Sequence, residues 1–152
     1  MASPRALDRL RAAARRRPWL AAVVWAAAIL GVSSMPVPPL GPPLFPGCDK
    51  VLHFIEYSVL GTALRFWSER REAGRAGSRP RGRAGGSAPR LSGHLLAGIA
   101  FGAADEIHQR LIPGRTMSFW DFTADACGVL CGYFLVLRAA RCRRPGRSAE
   151  TD

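Results

Sequence analysis

Four apolar segments, separated by polar or proline-rich stretches, dominate the sequence. The first covers residues 19–35 and carries no charged residue over 17 positions. The others cover residues 50–67, 91–112 and 118–137. A helix of about 20 apolar residues spans the hydrocarbon core of a bilayer. The pattern therefore predicts an all-α membrane protein whose four transmembrane helices form a compact bundle.

The first apolar segment has two interpretations, because six arginines precede it as they precede a signal peptide. A signal peptide usually has a shorter apolar region and ends in a small-residue cleavage site. Here the segment is followed by residues 36–47, which contain six prolines. We interpret it as an uncleaved anchor that leads into an extended loop, because proline does not continue a helix.

Arginine is concentrated in three stretches of the chain, which has 22 Lys and Arg residues and a net charge of +11. Residues 1–18, 68–90 and 138–152 hold six, seven and five arginines, and two apolar segments lie between each stretch and the next. Such blocks are found in nucleic-acid-binding arms, but they also mark the cytoplasmic loops of membrane proteins. If all four segments span, only Lys50, Arg110 and Arg115 lie on the opposite side.

This asymmetry favours membrane topology over nucleic-acid binding. It predicts a multi-pass membrane protein with both termini in the cytoplasm. The membrane domain would cover residues 19–137, between basic tails at 1–18 and 138–152. The Arg/Gly-rich stretch 68–90 has little apolar content and is predicted to be a disordered cytoplasmic loop.

Polar residues are concentrated at one end of three of the predicted helices. The second helix starts outside the membrane, the third ends there and the fourth starts there, so their polar ends reach the same depth. The polar residues concerned are Asp49, Lys50, His53, Glu56, Tyr57, Asp105, Glu106, His108, Gln109, Asp121 and Asp125. Charged groups at membrane depth are costly and normally face an interior or a wet cavity. We therefore expect one outward-facing cleft that these side chains line.

Helical spacing refines this expectation. Positions three and four residues apart share a helix face, so Asp105, His108 and Gln109 can face one way, with Glu106 beside them. Asp121 and Asp125 share a face with Gly128 and Gly132, which would let a neighbouring helix approach closely. Pro113 and Gly114 predict a tight turn that holds Arg115 over the mouth of the cleft.

The four cysteines do not indicate a metal or disulfide framework. They are Cys48, Cys127, Cys131 and Cys142, and none of them forms a CxxC pair. Two lie inside an apolar helical segment, where cysteine commonly acts as a small packing residue. We interpret them as packing residues, and the sequence predicts no cofactor.

Three motifs resemble the VanZ-like family of bacterial membrane proteins. They are "DKVLHFIEYSVLGTAL" from Asp49, "ADEIHQRLIPGR" from Ala104 and "DFTADACGVLCG" from Asp121, in this order along the chain. The resemblance implies an integral membrane protein and, for the founding member, a role in resistance to the glycopeptide teicoplanin. The characteristic positions carried over are Asp49, Lys50, His53, Tyr57, Asp105, Glu106, Gln109, Pro113, Arg115, Asp121 and Gly128. Position 125, often Asn in relatives, is Asp here.

These residues suggest specific roles in a site. His53, Asp105, Glu106 and Asp121 are candidate catalytic groups, because carboxyl and imidazole groups act as acids and bases. Candidates for substrate binding are Lys50, Tyr57, Gln109, Arg115 and Asp125. His53 is equally compatible with a metal ligand or with a hydrogen-bonded packing residue, and the sequence leaves the presence of a metal open.

Three functional hypotheses follow from this pattern. In the first, the protein binds or modifies a lipid-linked envelope precursor at the outer leaflet, with membrane lipid as its other partner. In the second, it is a structural or partner-binding membrane module whose acids are matched by Lys50, Arg110, Arg115 or backbone donors. The third, an ion-coupled transporter, is least favoured because the predicted cytoplasmic halves of the helices are nearly free of charge. Whether the protein is an enzyme, and its oligomeric state, stay open.

Overall fold

A computed structural model of the chain describes residues 17–36, 45–77 and 92–142. Four helices cover most of these residues: α1 (Leu20–Ser33), α2 (Cys48–Gly77), α3 (Gly93–Gln109) and α4 (Phe119–Cys142). The described part of the chain contains no β-strand. The prediction of an all-α fold with four helices is therefore confirmed.

The helix ends follow local sequence signals. Ser92 has an extended backbone and its hydroxyl accepts a hydrogen bond from the amide of His94, which caps the start of α3. The connection from α3 to α4 turns at Gly114, where a φ of 82° favours glycine. The predicted Pro113-Gly114 turn is thus confirmed.

The most extensive helix pairing joins α2 to α4. Gly61, Gly128 and Gly132 lie at this interface, and a Cβ built on each would collide with backbone atoms of the facing helix. The absence of side chains at these positions is what allows the two backbones to approach so closely. The predicted role of Gly128 and Gly132 in close helix approach is confirmed.

The buried apolar core lies between α2 and its neighbours. Tyr57, Leu60 and Leu64 of α2 contribute to it, together with residues of the three other helices. The other members are Ala22, Ile29, Leu95, Val129 and Tyr133. Because α2 supplies three of the eight core residues and contacts the three other helices, it is the central element of the bundle.

Only one described helix is long and apolar enough to cross a membrane by composition. It is the part of α4 from Phe119 to Val136, with a mean hydropathy of 1.2 over 18 residues. The helix α1 is apolar but has 14 residues. The helix α3 has 17 residues, and Glu56 and Arg65 interrupt the apolar stretch of α2.

The end of α2 differs from the prediction. The helix continues to Gly77 and thus enters the stretch 68–90, which the sequence pattern assigned to a disordered loop. Side-chain contacts stabilise this extension: Arg65 pairs with Glu69 one turn away at 3.1 Å, and Ser68 donates to Glu72 at 3.1 Å. That loop prediction is therefore wrong for residues 68–77.

The remaining predictions concern the chain ends and loops, and most of these residues lie outside the part of the chain that the structure describes. The helix α4 extends to Cys142, beyond the predicted boundary at residue 137. The rest of the predicted loop at 78–90, most of the proline-rich stretch and most of both basic tails lie outside the described residues.

Candidate functional site

Side chains of three helices meet at one point in the bundle. His53 of α2, Glu106 of α3 and Asp121 of α4 each offer a ligand atom, and these atoms lie within 4.8 Å of one another. Glu106 is 2% exposed and Asp121 is 9% exposed. We call these three residues the acidic–His cluster. Each of them comes from a different sequence motif, so the predicted convergence of the three motifs is observed for these residues.

Asp125 supports the cluster from α4, one turn after Asp121. Its Oδ1 lies 2.9 Å from His53 Nδ1, and the residue is fully buried. Gly102 of α3 leaves the space that the Asp125 side chain occupies, since a Cβ there would lie 3.1 Å from Asp125 Cβ. The contact with Asp125 fixes the orientation of the His53 ring and leaves Nε2 as its second nitrogen.

Lys50 lies at the edge of the cluster. Its ammonium is 3.1 Å from Asp121 Oδ1 and 2.8 Å from Asp49 Oδ2, and its side chain is 41% exposed. The hydrogen bond from Lys50 lowers the pKa of the Asp49 carboxyl. One cation thus bridges an exposed acid and a buried one.

A second polar group, the Asp105 network, lies beside the cluster. Asp105 is 1% exposed. Its Oδ2 accepts hydrogen bonds from Ser33 Oγ at 2.8 Å, from Tyr57 OH at 3.2 Å and from Gln109 Nε2 at 3.2 Å. These donors belong to α1, α2 and α3, so one carboxylate oxygen joins three helices through neutral partners.

Several buried carboxylate oxygens have no hydrogen-bond partner within the described part of the chain. Glu106 accepts from the Ser118 amide at 2.9 Å through Oε2, while its Oε1 has no partner. The same holds for Asp105 Oδ1 and Asp125 Oδ2. Buried polar atoms are nearly always satisfied, so these oxygens are places where a proton, a water molecule, an ion or a substrate group would be stabilised.

Arg115 occupies a different place from the one expected. Its Nε donates to the carbonyl oxygen of Met35 at 2.9 Å, and its Nη2 donates to that of Val32 at 3.1 Å. The last carbonyls of a helix lack partners within the helix, and Arg115 supplies donors to two carbonyls at the end of α1. The structure thus shows the guanidinium on the backbone of α1, not in a free position over the cleft.

The predicted site residues therefore fall into three places. The acidic–His cluster contains His53, Glu106 and Asp121, and Asp125 and Lys50 contact it. The Asp105 network takes Asp105, Tyr57 and Gln109, while Arg115 lies at the end of α1. His108, grouped with Asp105 and Gln109 by helical spacing, instead contacts Ser34 at 3.0 Å, close to that same helix end.

Two contributing residues were not singled out from the sequence. Ser33 donates to Asp105, and the backbone amide of Ser118 binds Glu106. The pair Ser33–Ser34 closes an otherwise apolar segment, which is a signal that could have been noticed. The Ser118 contact uses a backbone amide, which every residue but proline possesses, so no sequence signal points to it.

Comparison with known families decides what kind of protein carries this arrangement. A family model described as VanZ/LLP1 matches residues 11–140. The chain belongs to the VanZ/LLP1 family. The matched range includes all four helices except the last two residues of α4, and with them every residue of the acidic–His cluster. Searches of curated proteins and of solved structures found no significant match.

Family membership adds weight to the three motifs that carried the resemblance. In this VanZ/LLP1 protein each motif supplies one member of the acidic–His cluster: His53 from the first, Glu106 from the second and Asp121 from the third. The family suggests a membrane protein, and the apolar part of α4 agrees with that suggestion.

Proposed function

We propose that this VanZ/LLP1 protein spans the bacterial cytoplasmic membrane with four helices and acts at its outer face on a lipid-linked envelope substrate. In its host it would lower sensitivity to glycopeptides such as teicoplanin. The observation that carries this proposal is the acidic–His cluster, in which His53, Glu106 and Asp121 of three helices approach within 4.8 Å.

The four-span topology is supported by the distribution of arginine. With α1 to α4 spanning in alternate directions, the three Arg-rich stretches fall on the cytoplasmic side, as the positive-inside rule requires. The acidic–His cluster then lies near the outer ends of α2, α3 and α4. At 14 residues, α1 is short for a span, and local thinning of the bilayer would accommodate a helix of this length.

The arrangement of charge suits an anionic substrate headgroup. Lys50 is partly exposed at the edge of the cluster and would bind a phosphate or carboxylate group. His53 and Glu106 lie behind it and would serve as base and acid. Tyr57 and Gln109 would hold Asp105 in place, and Asp125 would hold His53, so their contribution to substrate binding would be indirect.

A second candidate is a structural or partner-binding membrane module. It is favoured by the Asp105 network, since three neutral donors satisfy one oxygen of that acid, and by the Lys50–Asp121 pair. It is disfavoured by the buried oxygens Glu106 Oε1 and Asp105 Oδ1, which have no partner in the described residues. A group with a packing role alone would be expected to have both oxygens satisfied.

Complementation distinguishes the two candidates. In a host strain that lacks the gene, we expect His53→Ala and Glu106→Gln to abolish the effect on teicoplanin sensitivity and on the pool of lipid-linked envelope precursors. Both proteins should still insert at the level of the unmodified chain. Glu72→Gln is the matched control, because Glu72 lies near the other end of α2 and is exposed. Full complementation by both inserted variants would favour the structural module instead.

A further inference from the structure

We propose that the acidic–His cluster is a binding site for one divalent transition-metal ion, Zn²⁺ or Mn²⁺. The ligands are His53 Nε2, a carboxylate oxygen of Glu106 and a carboxylate oxygen of Asp121. This inference concerns ion binding itself and does not depend on the envelope role proposed above. With the ion bound, His53 and Glu106 act as its ligands instead of as base and acid. It rests on three features of the cluster, which are its geometry, an unsatisfied oxygen and the support of the histidine.

The geometry is compatible with a three-ligand metal centre. One ring nitrogen of His53 and one carboxylate oxygen each of Glu106 and Asp121 lie within 4.8 Å of one another. Because Nδ1 contacts Asp125, we assign Nε2 to the ion. Zinc binds nitrogen and oxygen at about 2.0–2.2 Å, so ligand atoms in a tetrahedral site are roughly 3.4 Å apart. The difference is at most about 1.4 Å, and small tilts of the three side chains that keep the Ser118 contact of Glu106 close it. Three protein ligands also leave one position for a water molecule or a substrate oxygen.

The unsatisfied oxygen is Oε1 of Glu106. The Ser118 amide holds the other oxygen at 2.9 Å, which fixes the carboxylate. Glu106 is 2% exposed, and Oε1 has no hydrogen-bond partner in the part of the chain that the structure describes. A buried carboxylate oxygen in this state is destabilising unless a cation or a proton compensates it. A metal ion between Glu106, Asp121 and His53 supplies that compensation.

The histidine is supported in the manner of a metal ligand. Metal-binding histidines usually donate their second ring N–H to a carboxylate, which fixes the tautomer and the ring orientation. Asp125 Oδ1 lies 2.9 Å from His53 Nδ1 and is buried beside it. When Nδ1–H donates to Asp125, the lone pair of Nε2 is available to a metal ion.

The ligand types select the ion. One imidazole with two carboxylates suits zinc or manganese, whereas calcium takes 6–8 oxygen ligands and magnesium retains most of its water. Lys50 shares Asp121 with the proposed ion, because its ammonium lies 3.1 Å from Asp121 Oδ1. Two like charges on one carboxylate repel, so Lys50 weakens metal binding and tunes it.

Metal content and affinity of the purified full-length protein in detergent test the proposal. After exposure to Zn²⁺ or Mn²⁺ and removal of free ion, we expect one bound ion per chain by elemental mass spectrometry. Co²⁺ as a substitute should give visible absorption bands of a protein-bound ion. Glu106→Gln and His53→Gln should abolish both signals. Asp125→Asn should weaken binding about 10–100-fold, as loss of a supporting carboxylate does, and Lys50→Gln should strengthen it.

Glu72→Gln and His94→Gln serve as matched controls, because both residues lie towards the other end of the bundle, and they should bind like the unmodified chain. Absence of stoichiometric binding by the unmodified protein, or equal binding by Glu106→Gln, overturns the proposal. If a variant fails to fold, metal binding by the unmodified protein alone decides whether the proposal stands. A metal-free protein that still complements the host refutes this inference only. A metal-binding protein whose site variants complement fully refutes the proposed function only.

Discussion

Replacement of Gly128 by alanine should damage the bundle and the site together. A Cβ at this position would lie 2.5 Å from the carbonyl oxygen of Phe54 in α2. Non-bonded contacts of a Cβ below 3.0 Å essentially do not occur, so the helices must separate by at least about 0.5 Å. Overpacking of this kind typically costs about 1–3 kcal/mol.

Separation of α2 from α4 would move the site residues apart, because Phe54 follows His53 in α2 and Gly128 lies one turn from Asp125 in α4. The His53–Asp125 distance of 2.9 Å would increase to about 3.4 Å, beyond the usual range for this hydrogen bond. A hydrogen bond to a charged group contributes about 1.5–3 kcal/mol. We therefore expect Gly128→Ala to lose site function as well as stability.

The assay is thermal unfolding of the purified protein in detergent, followed by circular dichroism and by size-exclusion chromatography. Gly31→Ala is the matched control, because Gly31 lies in α1 with no atom within 4 Å of a built Cβ. Alanine there should be neutral or stabilising by about 0.5–1 kcal/mol, as in other helix interiors. Equal unfolding midpoints for Gly128→Ala and Gly31→Ala would refute the close approach of α2 and α4.

Three further variants test the surrounding contacts by the same unfolding assay. Asp105→Asn should cost about 1–3 kcal/mol, because a neutral amide oxygen is a weaker acceptor for the three hydrogen bonds that Oδ2 receives. Stability equal to the unmodified chain would contradict the Asp105 network. Arg115→Lys should lower the free energy of unfolding by about 1 kcal/mol, because one ammonium does not reproduce the two contacts to α1. Arg110→Lys is the control, and because Arg110 is exposed its replacement should be neutral. Asp49→Asn should change stability by less than about 1 kcal/mol, since an exposed ion pair contributes little, and a larger loss would show that Lys50 depends on Asp49.

The meeting of three motifs was predictable from sequence because each motif places its polar residues at the same end of an apolar segment. The close approach at Gly128 and Gly132 was predictable from their four-residue spacing along one helix face. Both inferences depend on period and position alone, which the sequence displays directly.

The division of the polar residues into two groups was not predictable. Asp105, Glu106, His108 and Gln109 are spread over more than one face of α3, and helical spacing alone does not say which face turns to α4 and which to α1. In the structure, Glu106 faces the acidic–His cluster, whereas Asp105 faces Ser33 of α1. That choice depends on packing of the whole bundle.

Two other features depend on contacts that composition does not reveal. The stretch after Trp67 has the composition of a loop, yet Arg65 and Glu69 at helical spacing continue α2 through it. Arg115 binds backbone carbonyls of Val32 and Met35. Such acceptors exist at every residue, so nothing in the sequence indicates that Arg115 binds them and not a substrate in the cleft.

The central claim is that the acidic–His cluster faces the outside of the cytoplasmic membrane, and thiol labelling in intact cells tests it most directly. In a chain with its native cysteines replaced by alanine, one cysteine is introduced at Met117, which is exposed in the connection between α3 and α4 beside the cluster. A second chain carries it at Glu72, near the opposite end of α2. We predict that a membrane-impermeant maleimide labels position 117 in intact cells and position 72 only after lysis. Labelling of position 72 but not 117 in intact cells would contradict it.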